Sequence, residues 1–298
     1  MISFKKARSD AHGMVAADGG AGRNLVQRSV SAAVLAPAGV VAAFFGGHWF
    51  LVVCAIASGV ILWEWTVLVA GSAERRIVLP GWSALVAATL LIDVGRNVAA
   101  ASAIVAGALI AGLATAWQSR RGANADRSVW GAGGIVYAGV ALLGPALLRR
   151  DPALGLTAIL FLFATVWTTD ILAYFVGRAV GGPLLWPRLS PKKTWSGAIG
   201  GSAGGVAAGT LVAYASGGLE PATAGALALA LSVVAQAGDL FESAVKRRFG
   251  AKDASGLIPG HGGVMDRLDG FLVAAMVALL IGAARQGLSA PAQGLLLW

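Results

Sequence analysis

The sequence has 298 residues, of which 57% are apolar and only 12% are charged. A soluble domain carries roughly 25% charged residues, so the composition excludes an ordinary water-facing surface and indicates a lipid environment. The net charge of +9 does not indicate nucleic acid binding. The basic residues are dispersed in short loops between apolar runs, where they suit anionic lipid head groups and a phosphorylated substrate.

Residues 1–28 are polar and basic. They lack the apolar core and small-residue cleavage site of a signal peptide, and we expect a disordered cytosolic tail. Nine apolar runs follow, each close to the ~20 residues that span a bilayer as a helix. They cover about residues 30–46, 49–70, 78–94, 97–117, 130–148, 153–177, 197–216, 221–245 and 268–287. We therefore predict an all-α, polytopic membrane helix bundle of about nine transmembrane helices.

Lys and Arg are distributed unevenly between the two sides of such a bundle. With a cytosolic N-terminus and nine spans, 19 of the 23 Lys and Arg fall in cytosolic segments. Because cytosolic loops of membrane proteins are rich in Lys and Arg, this bias predicts that orientation. It places loops 178–196 and 246–267 on the cytosolic side. We divide the chain into the tail, N-terminal helices at 29–150 and a C-terminal catalytic region at 151–298.

Two features within the apolar runs bear on packing and on function. Gly200, Gly201, Gly204 and Gly205 form a small-residue face, which indicates tight helix packing. Asp170 lies inside an apolar run, where an acid marks a functional site by default, the alternative being a structural ion pair with a nearby Arg or Lys. Glu64 and Asp93 are weaker cases, for which we favour structural roles.

The segment SPKKTW at 190–195 precedes the seventh apolar run. Paired lysines and hydroxyls before a helix suit a phosphate, because the helix dipole and the free N–H groups point at it. The segment is equally typical of an interfacial anchor, with snorkelling lysines and Trp195 in an aromatic belt. The residues alone leave both interpretations open.

Polar side chains cluster at the end of the eighth apolar run. On a helix, positions i, i+3, i+4 and i+7 share one face, and here they hold Asp239, Glu242, Ser243 and Lys246. Carboxylates at a membrane helix end are costly unless something neutralises them. An oxygen-rich cluster without Cys suits Mg²⁺, which binds through one or two carboxylates plus substrate phosphates.

The loop that follows continues this pattern. Asp266 and Asp269 lie three residues apart and also share a helix face. Positive charge for phosphate oxygens comes from Lys246, Arg247, Lys252 and Arg267. The sequence PGHGG at 259–263 can bring backbone N–H groups close to an anion. An ordinary charged loop needs neither feature, so residues 243–269 are predicted to be a cation- and phosphate-handling site.

These motifs resemble the phosphatidate cytidylyltransferase family, also called CDP-diacylglycerol synthase. The family signature is Ser-x-aliphatic-Lys-Arg, four residues, Lys-Asp, then Pro-x-His-Gly-Gly, then Asp-Arg-x-Asp. This chain keeps every residue and spacing of it over the 27 positions 243–269. Asp170-x-x-Ala-Tyr and SPKKTW are also similar to family motifs, so the resemblance covers about residues 165–285. One departure is Ser196, where the family usually has Glu, which puts the role of that Glu in doubt.

The resemblance implies that CTP and phosphatidic acid react to give CDP-diacylglycerol and pyrophosphate in a bilayer. It implies Mg²⁺ on Asp239 and Asp266, supported by Glu242 and Asp269, with a second cation left open. Lys246 and Arg267 would act with these acids as the catalytic set. Substrate-binding residues would be Asp170, Tyr174, Ser190, Lys192, Lys193, Thr194, Ser243, Arg247, Lys252, His261, Gly262 and Gly263.

Other functions predict different patterns. A CTP-dependent polyprenol or dolichol kinase would also hold a nucleotide in a membrane bundle, but it transfers the γ-phosphoryl group to an alcohol. A CDP-alcohol phosphotransferase needs an Asp-Gly-x-x-Ala-Arg pattern that is missing. A transporter would spread its polar residues through the helices at mid-depth. The Ala/Gly bias favours a bacterial inner-membrane protein with its active site facing the cytosol, and the Gly/Ala faces permit a homodimer without requiring one.

Overall fold

The computed structural model describes residues 34, 36–119, 126–217, 220–258 and 262–298. The predicted tail at 1–28 and the predicted site residue His261 lie outside the described residues. The helices are α1 (Ala36–Phe45), α2 (Gly47–Ala70), α3 (Arg75–Asp93), α4 (Asn97–Ser119), α5 (Asp126–Arg150), α6 (Gly155–Val180), α7 (Trp195–Ala215), α8 (Pro221–Arg248), α9 (Met265–Gln286) and α10 (Pro291–Leu296).

Eight helices of the described chain, α2 to α9, are long and apolar enough to cross a membrane. This confirms the predicted polytopic bundle. The first of the nine predicted runs, at 30–46, corresponds to the short helix α1 and extends into residues outside the described ones. Cys54 is buried in the core beside Phe50 and Leu51, so it has the surroundings of a packing residue.

A two-stranded antiparallel hairpin joins α6 to α7, with β1 at Leu184–Trp186 and β2 at Ser190–Thr194. The hairpin was not predicted from the sequence, because Pro191 weakens the strand pattern of SPKKT. A proline is tolerated on an edge strand, which is what β2 is in a sheet of two. Thr194 then caps α7, since its hydroxyl accepts a hydrogen bond from Gly197 N at 3.1 Å.

Helices α6 and α7 pack closely along the glycine face. A Cβ atom added at Gly201 would lie 2.6 Å from the carbonyl oxygen of Thr169 and 2.8 Å from Cβ of Ala173. No side chain fits there, so the tight packing predicted from the glycine pattern is confirmed. Helix α8 joins this pair through buried hydroxyls, because Ser232 is hydrogen-bonded to Thr169 at 2.9 Å and donates to Ser202 at 3.1 Å.

The ion pairs of the described residues lie at the two ends of the bundle. At one end, Asp93 contacts His48 Nδ1 at 2.5 Å and Arg150 NH1 at 3.8 Å, which agrees with a structural role for Asp93. At the other end, the loops at 178–196 and 246–267 border a common cleft. The two loops therefore lie at the same end of the bundle, and their cytosolic location stays a prediction.

Candidate active site

A cleft of about 740 Å³ opens where α6, the hairpin, α7, α8 and α9 meet. It brings together the three sequence segments that were predicted to carry chemistry, although they are far apart in the chain. The predicted site residues that line it are Asp170, Tyr174, Ser190, Lys192, Lys193, Thr194, Asp239, Lys246, Asp266, Arg267 and Asp269. Gln236 and Asp253 also line the cleft.

An ion pair connects the hairpin to α8 across the cleft. The Lys193 ammonium group contacts Asp239 Oδ2, and each of the two side chains is 30% exposed. Ser243, one turn further along α8, donates to Asp239 Oδ1 over a long 3.5 Å. Lys193 is therefore a cleft residue that is paired with Asp239, an acid just before the signature. This position agrees with the phosphate interpretation of SPKKTW better than with a membrane anchor.

A second lysine lies between two acids at the junction of α8 and α9. Lys246 Nζ is 2.6 Å from Asp266 Oδ1 and 3.3 Å from Glu242 Oε1. The three side chains are nearly excluded from solvent, at 12% exposed for Lys246, 4% for Asp266 and 0% for Glu242. A buried charge without a partner is strongly destabilising. The Lys246 ammonium group therefore offsets the cost of burying the two carboxyl groups.

The loop before α9 folds around the second oxygen of Asp266. Asp266 Oδ2 accepts hydrogen bonds from Gly263 N at 2.7 Å and from Ala254 N at 2.8 Å. Gly262 has φ +83°, a left-handed conformation that favours glycine, and its carbonyl accepts from Ile258 N at 2.8 Å. Gly263 and Ala254 thus orient the Asp266 carboxylate towards Lys246.

Glu64 of α2 contacts the same loop, which agrees with the structural role favoured for it, although its partners were not predicted. Its Oε1 accepts from Ser255 Oγ at 2.6 Å and from Val264 N at 2.9 Å, and its Oε2 accepts from Met265 N at 2.7 Å. Glu64 therefore satisfies the first N–H groups of α9 from a different helix. The available sequence signal was a lone acid between Trp63 and Trp65 in an apolar run.

Several predicted binding residues lie at the rim of the cleft or behind it. Tyr174 is 61% exposed, and its hydroxyl oxygen accepts from Arg178 NH1 at 3.4 Å. Arg247 and Lys252 are exposed, and Arg247 NH1 donates to Ala251 O at 3.3 Å. Arg247, Lys252, Glu242, Ser243, Gly262 and Gly263 are not among the described residues that line the cleft. Their assigned roles stay predictions.

Ser196 lies at the position where the family that the sequence resembles usually has Glu. Its hydroxyl donates to the carbonyl oxygen of Gly181 and is hydrogen-bonded to the Thr194 hydroxyl at 3.0 Å. The serine therefore joins the end of α6 to the start of α7. It supplies a local connection between the two helices rather than a charge to the cleft.

The donor set of the cleft suits an oxygen-preferring cation. Asp239, Asp266 and Asp269 provide carboxylates, and the described part of the chain contains no group of three or more His, Cys, Asp or Glu arranged to hold a metal. Mg²⁺ commonly binds to one or two carboxylates and completes its shell with phosphate oxygens and water. These residues fit a Mg²⁺ ion that arrives with a nucleotide better than they fit a preformed protein cage.

Comparison of the sequence with known proteins finds relatives over most of the chain. Residues 26–284 match the model of the cytidylyltransferase family. A phosphatidate cytidylyltransferase from Brucella abortus is 46% identical over 268 residues, covering 87% of this chain and 94% of that protein. Its counterpart from Bacillus subtilis is 41% identical over 126 residues, which is 42% of this chain and 47% of that protein. The Haemophilus influenzae counterpart is 41% identical over 142 residues, which is 46% and 49% of the two chains.

Proposed function

The chain belongs to the cytidylyltransferase family, and on that premise we propose that it is a membrane-embedded phosphatidate cytidylyltransferase. Its substrates would be CTP and phosphatidic acid, and its products CDP-diacylglycerol and pyrophosphate. The observation that carries the proposal is the cleft at one end of the bundle. Two Lys–Asp pairs, Lys193–Asp239 and Lys246–Asp266, line it together.

The reaction needs no activated side chain. A phosphate oxygen of phosphatidic acid attacks the α-phosphorus of CTP, and a new P–O bond forms. The bond from the α-phosphorus to the bridging oxygen breaks, and pyrophosphate leaves with the electron pair. The barrier comes from the approach of two anions and from charge that develops on the leaving oxygens. A protein lowers it mainly with fixed positive charge and alignment.

The lysines of the cleft supply that charge. Lys193 and Lys246 are each held by a carboxylate, which keeps the ammonium groups in place before substrate binds. Phosphate oxygens compete with these carboxylates for the same donors, because charge-assisted hydrogen bonds to phosphate are strong. Arg267 lines the cleft beside them and adds a further cationic side chain. Thr194 and Ser190 offer hydroxyl groups at the hairpin edge of the cleft.

The acids of the cleft are the residues that would hold Mg²⁺. Asp239 and Asp266 are our candidate ligands, and Asp269 supports them from the next turn of α9, where Asp269 Oδ1 accepts from Gly270 N at 2.7 Å. Glu242 contacts Lys246 at 3.3 Å beside these acids. Bound with the nucleotide, Mg²⁺ would neutralise charge on the phosphates and on the departing pyrophosphate. A second cation stays a prediction.

The cleft geometry also suits a substrate that arrives from lipid. Tyr174 and Leu184 are exposed apolar side chains at its border, next to the polar lining. We propose that the lipid phosphate enters sideways past this border while CTP enters from the water. The basic bias of the cleft end supports a cytosolic active site. The bacterial relatives support a location in the inner membrane. A homodimer stays a prediction.

The proposal is tested with purified protein and CTP in mixed micelles. We expect pyrophosphate release that depends on both phosphatidic acid and Mg²⁺, together with an equal amount of CDP-diacylglycerol. Diacylglycerol or a polyprenol as the only acceptor should give no turnover. Release of CDP and formation of a phosphorylated alcohol would instead identify a kinase.

A further inference from the structure

The loop that carries the signature is fastened to the bundle by two carboxylates that alternate along it. Ala254 N donates to Asp266, whereas the next residue, Ser255, donates to Glu64. Gly263 N donates to Asp266, whereas the next residue, Val264, donates to Glu64. Both ends of the loop are therefore held once by an acid of α9 and once by an acid of α2.

The carboxylate of Glu64 is buried and hydrogen-bonded in this position. It is fully buried, and its described partners are two backbone N–H groups and one hydroxyl group. A buried carboxylate is costly unless it is hydrogen-bonded, and the positive end of a helix dipole offsets part of that cost. The approach is close, because a Cβ atom at Gly263 would lie 2.7 Å from Glu64 Cδ.

We propose that Glu64 is a positioning residue for the reaction, and this inference rests on the proposed function. By fixing the N-terminus of α9, Glu64 sets the direction of the Asp266 carboxylate relative to Lys246 and the cleft. Asp266 lies one residue after Met265, whose N–H is bound by Glu64 at 2.7 Å. A shift of the helix end moves Asp266 directly, whereas Glu64 itself does not line the cleft.

The test compares Glu64→Gln with a matched control, Asp151→Asn. Glutamine keeps the size of the side chain but replaces one acceptor oxygen with an NH₂ group that cannot accept from a backbone N–H. Asp151 is also a buried acid that accepts backbone hydrogen bonds, from Ala153 N at 3.0 Å and Gln293 N at 2.9 Å. It belongs to the other end of the bundle, among residues that line a separate cavity.

Two measurements separate positioning from general stability. The first is hydrogen–deuterium exchange of residues 262–266 in the purified protein without CTP or added metal. We expect Glu64→Gln to speed this exchange by about tenfold, the order expected for losing one hydrogen bond to a charged group. The second is the Mg²⁺ concentration for half-maximal turnover, which should rise by a similar factor. Asp151→Asn should leave both values unchanged while lowering the unfolding temperature.

The outcomes are distinct. Unchanged exchange at 262–266 in Glu64→Gln would overturn the proposal, as would faster exchange with an unchanged Mg²⁺ requirement. If Glu64→Gln does not fold, Ser255→Ala removes a single donor to Glu64, and it should shift both values in the same direction by a smaller factor. If the wild-type protein makes no CDP-lipid, the proposed function fails and positioning for that reaction fails with it. The exchange measurement would then still report whether Glu64 holds the loop.

Discussion

The ammonium group of Lys193, on the hairpin, forms an ion pair with Asp239, on helix α8, although the two residues are 46 positions apart. This contact links the SPKKTW segment to the acids that precede the signature. It makes the two segments parts of one cleft, and the effects of changing them should therefore be coupled.

We predict that Asp239→Asn lowers kcat/KM with CTP by about a hundredfold or more, because it removes a fixed charge and a candidate metal ligand from the cleft. Lys193→Met should also lower kcat/KM, and the double variant should lose less than the two single losses multiplied together. Arg188→Ala is the control, since Arg188 is exposed in the hairpin turn and does not line the cleft. Wild-type kinetics for Asp239→Asn would contradict the assignment.

Replacing Lys246 should destabilise the protein as well as inactivate it. Lys246→Met leaves the buried acids Glu242 and Asp266 without their shared cation. Breaking a buried ion pair from one side costs about 3–5 kcal/mol, and we expect a loss of that order in the free energy of unfolding. The measurement is unfolding in detergent micelles, with Arg247→Ala as the stability control because Arg247 is exposed. Equal stabilities for the two variants would argue against the central role of Lys246.

The packing of α6 on α7 gives a prediction that is independent of chemistry. Gly201→Ala places a methyl group 2.6 Å from Thr169 O, so the helices must separate. Overpacking of this kind costs about 1–3 kcal/mol in the free energy of unfolding. Gly59→Ala, on α2, is the matched control, because its Cβ would meet no atom within 4 Å. Equal free energies of unfolding for Gly201→Ala and Gly59→Ala would show that the close approach of the helices does not contribute to stability.

Metal dependence provides the fourth prediction. We expect chelation of Mg²⁺ to abolish turnover, readdition of Mg²⁺ to restore it, and Ca²⁺ to substitute poorly. Ca²⁺ prefers six to eight oxygen ligands and longer bonds, whereas two carboxylates and phosphate oxygens suit the smaller Mg²⁺. Asp266→Ala should remove activity at every Mg²⁺ concentration. Full activity of this variant in detergent would refute the assignment of Asp266 as a ligand.

The sequence was informative wherever the signal was local. Apolar runs predicted the crossing helices α2 to α9, because the length and hydrophobicity of a membrane helix are local properties. Helical spacing likewise indicated that Asp239 and Lys246 share a face, and both line the cleft. Spacing within one segment could not show that Lys193 pairs with Asp239.

Long-range contacts account for what was missed. Glu64 bonds to Val264 and Met265, which are 200 and 201 positions away, so nothing near Glu64 in the sequence identifies its partners. The hairpin was missed for a different reason, because Pro191 hides a short edge strand. The role of Glu64 is therefore determined by distant partners, whereas the hairpin was hidden by its own proline.

The most direct test of the proposed function follows each phosphorus atom of CTP. Reconstituted protein is supplied with phosphatidic acid, Mg²⁺ and CTP that is labelled at either the α- or the γ-phosphorus. We predict that the α-label appears in the lipid product and the γ-label appears in pyrophosphate. Transfer of the γ-label to lipid, or no label in lipid from either substrate, would contradict the proposal.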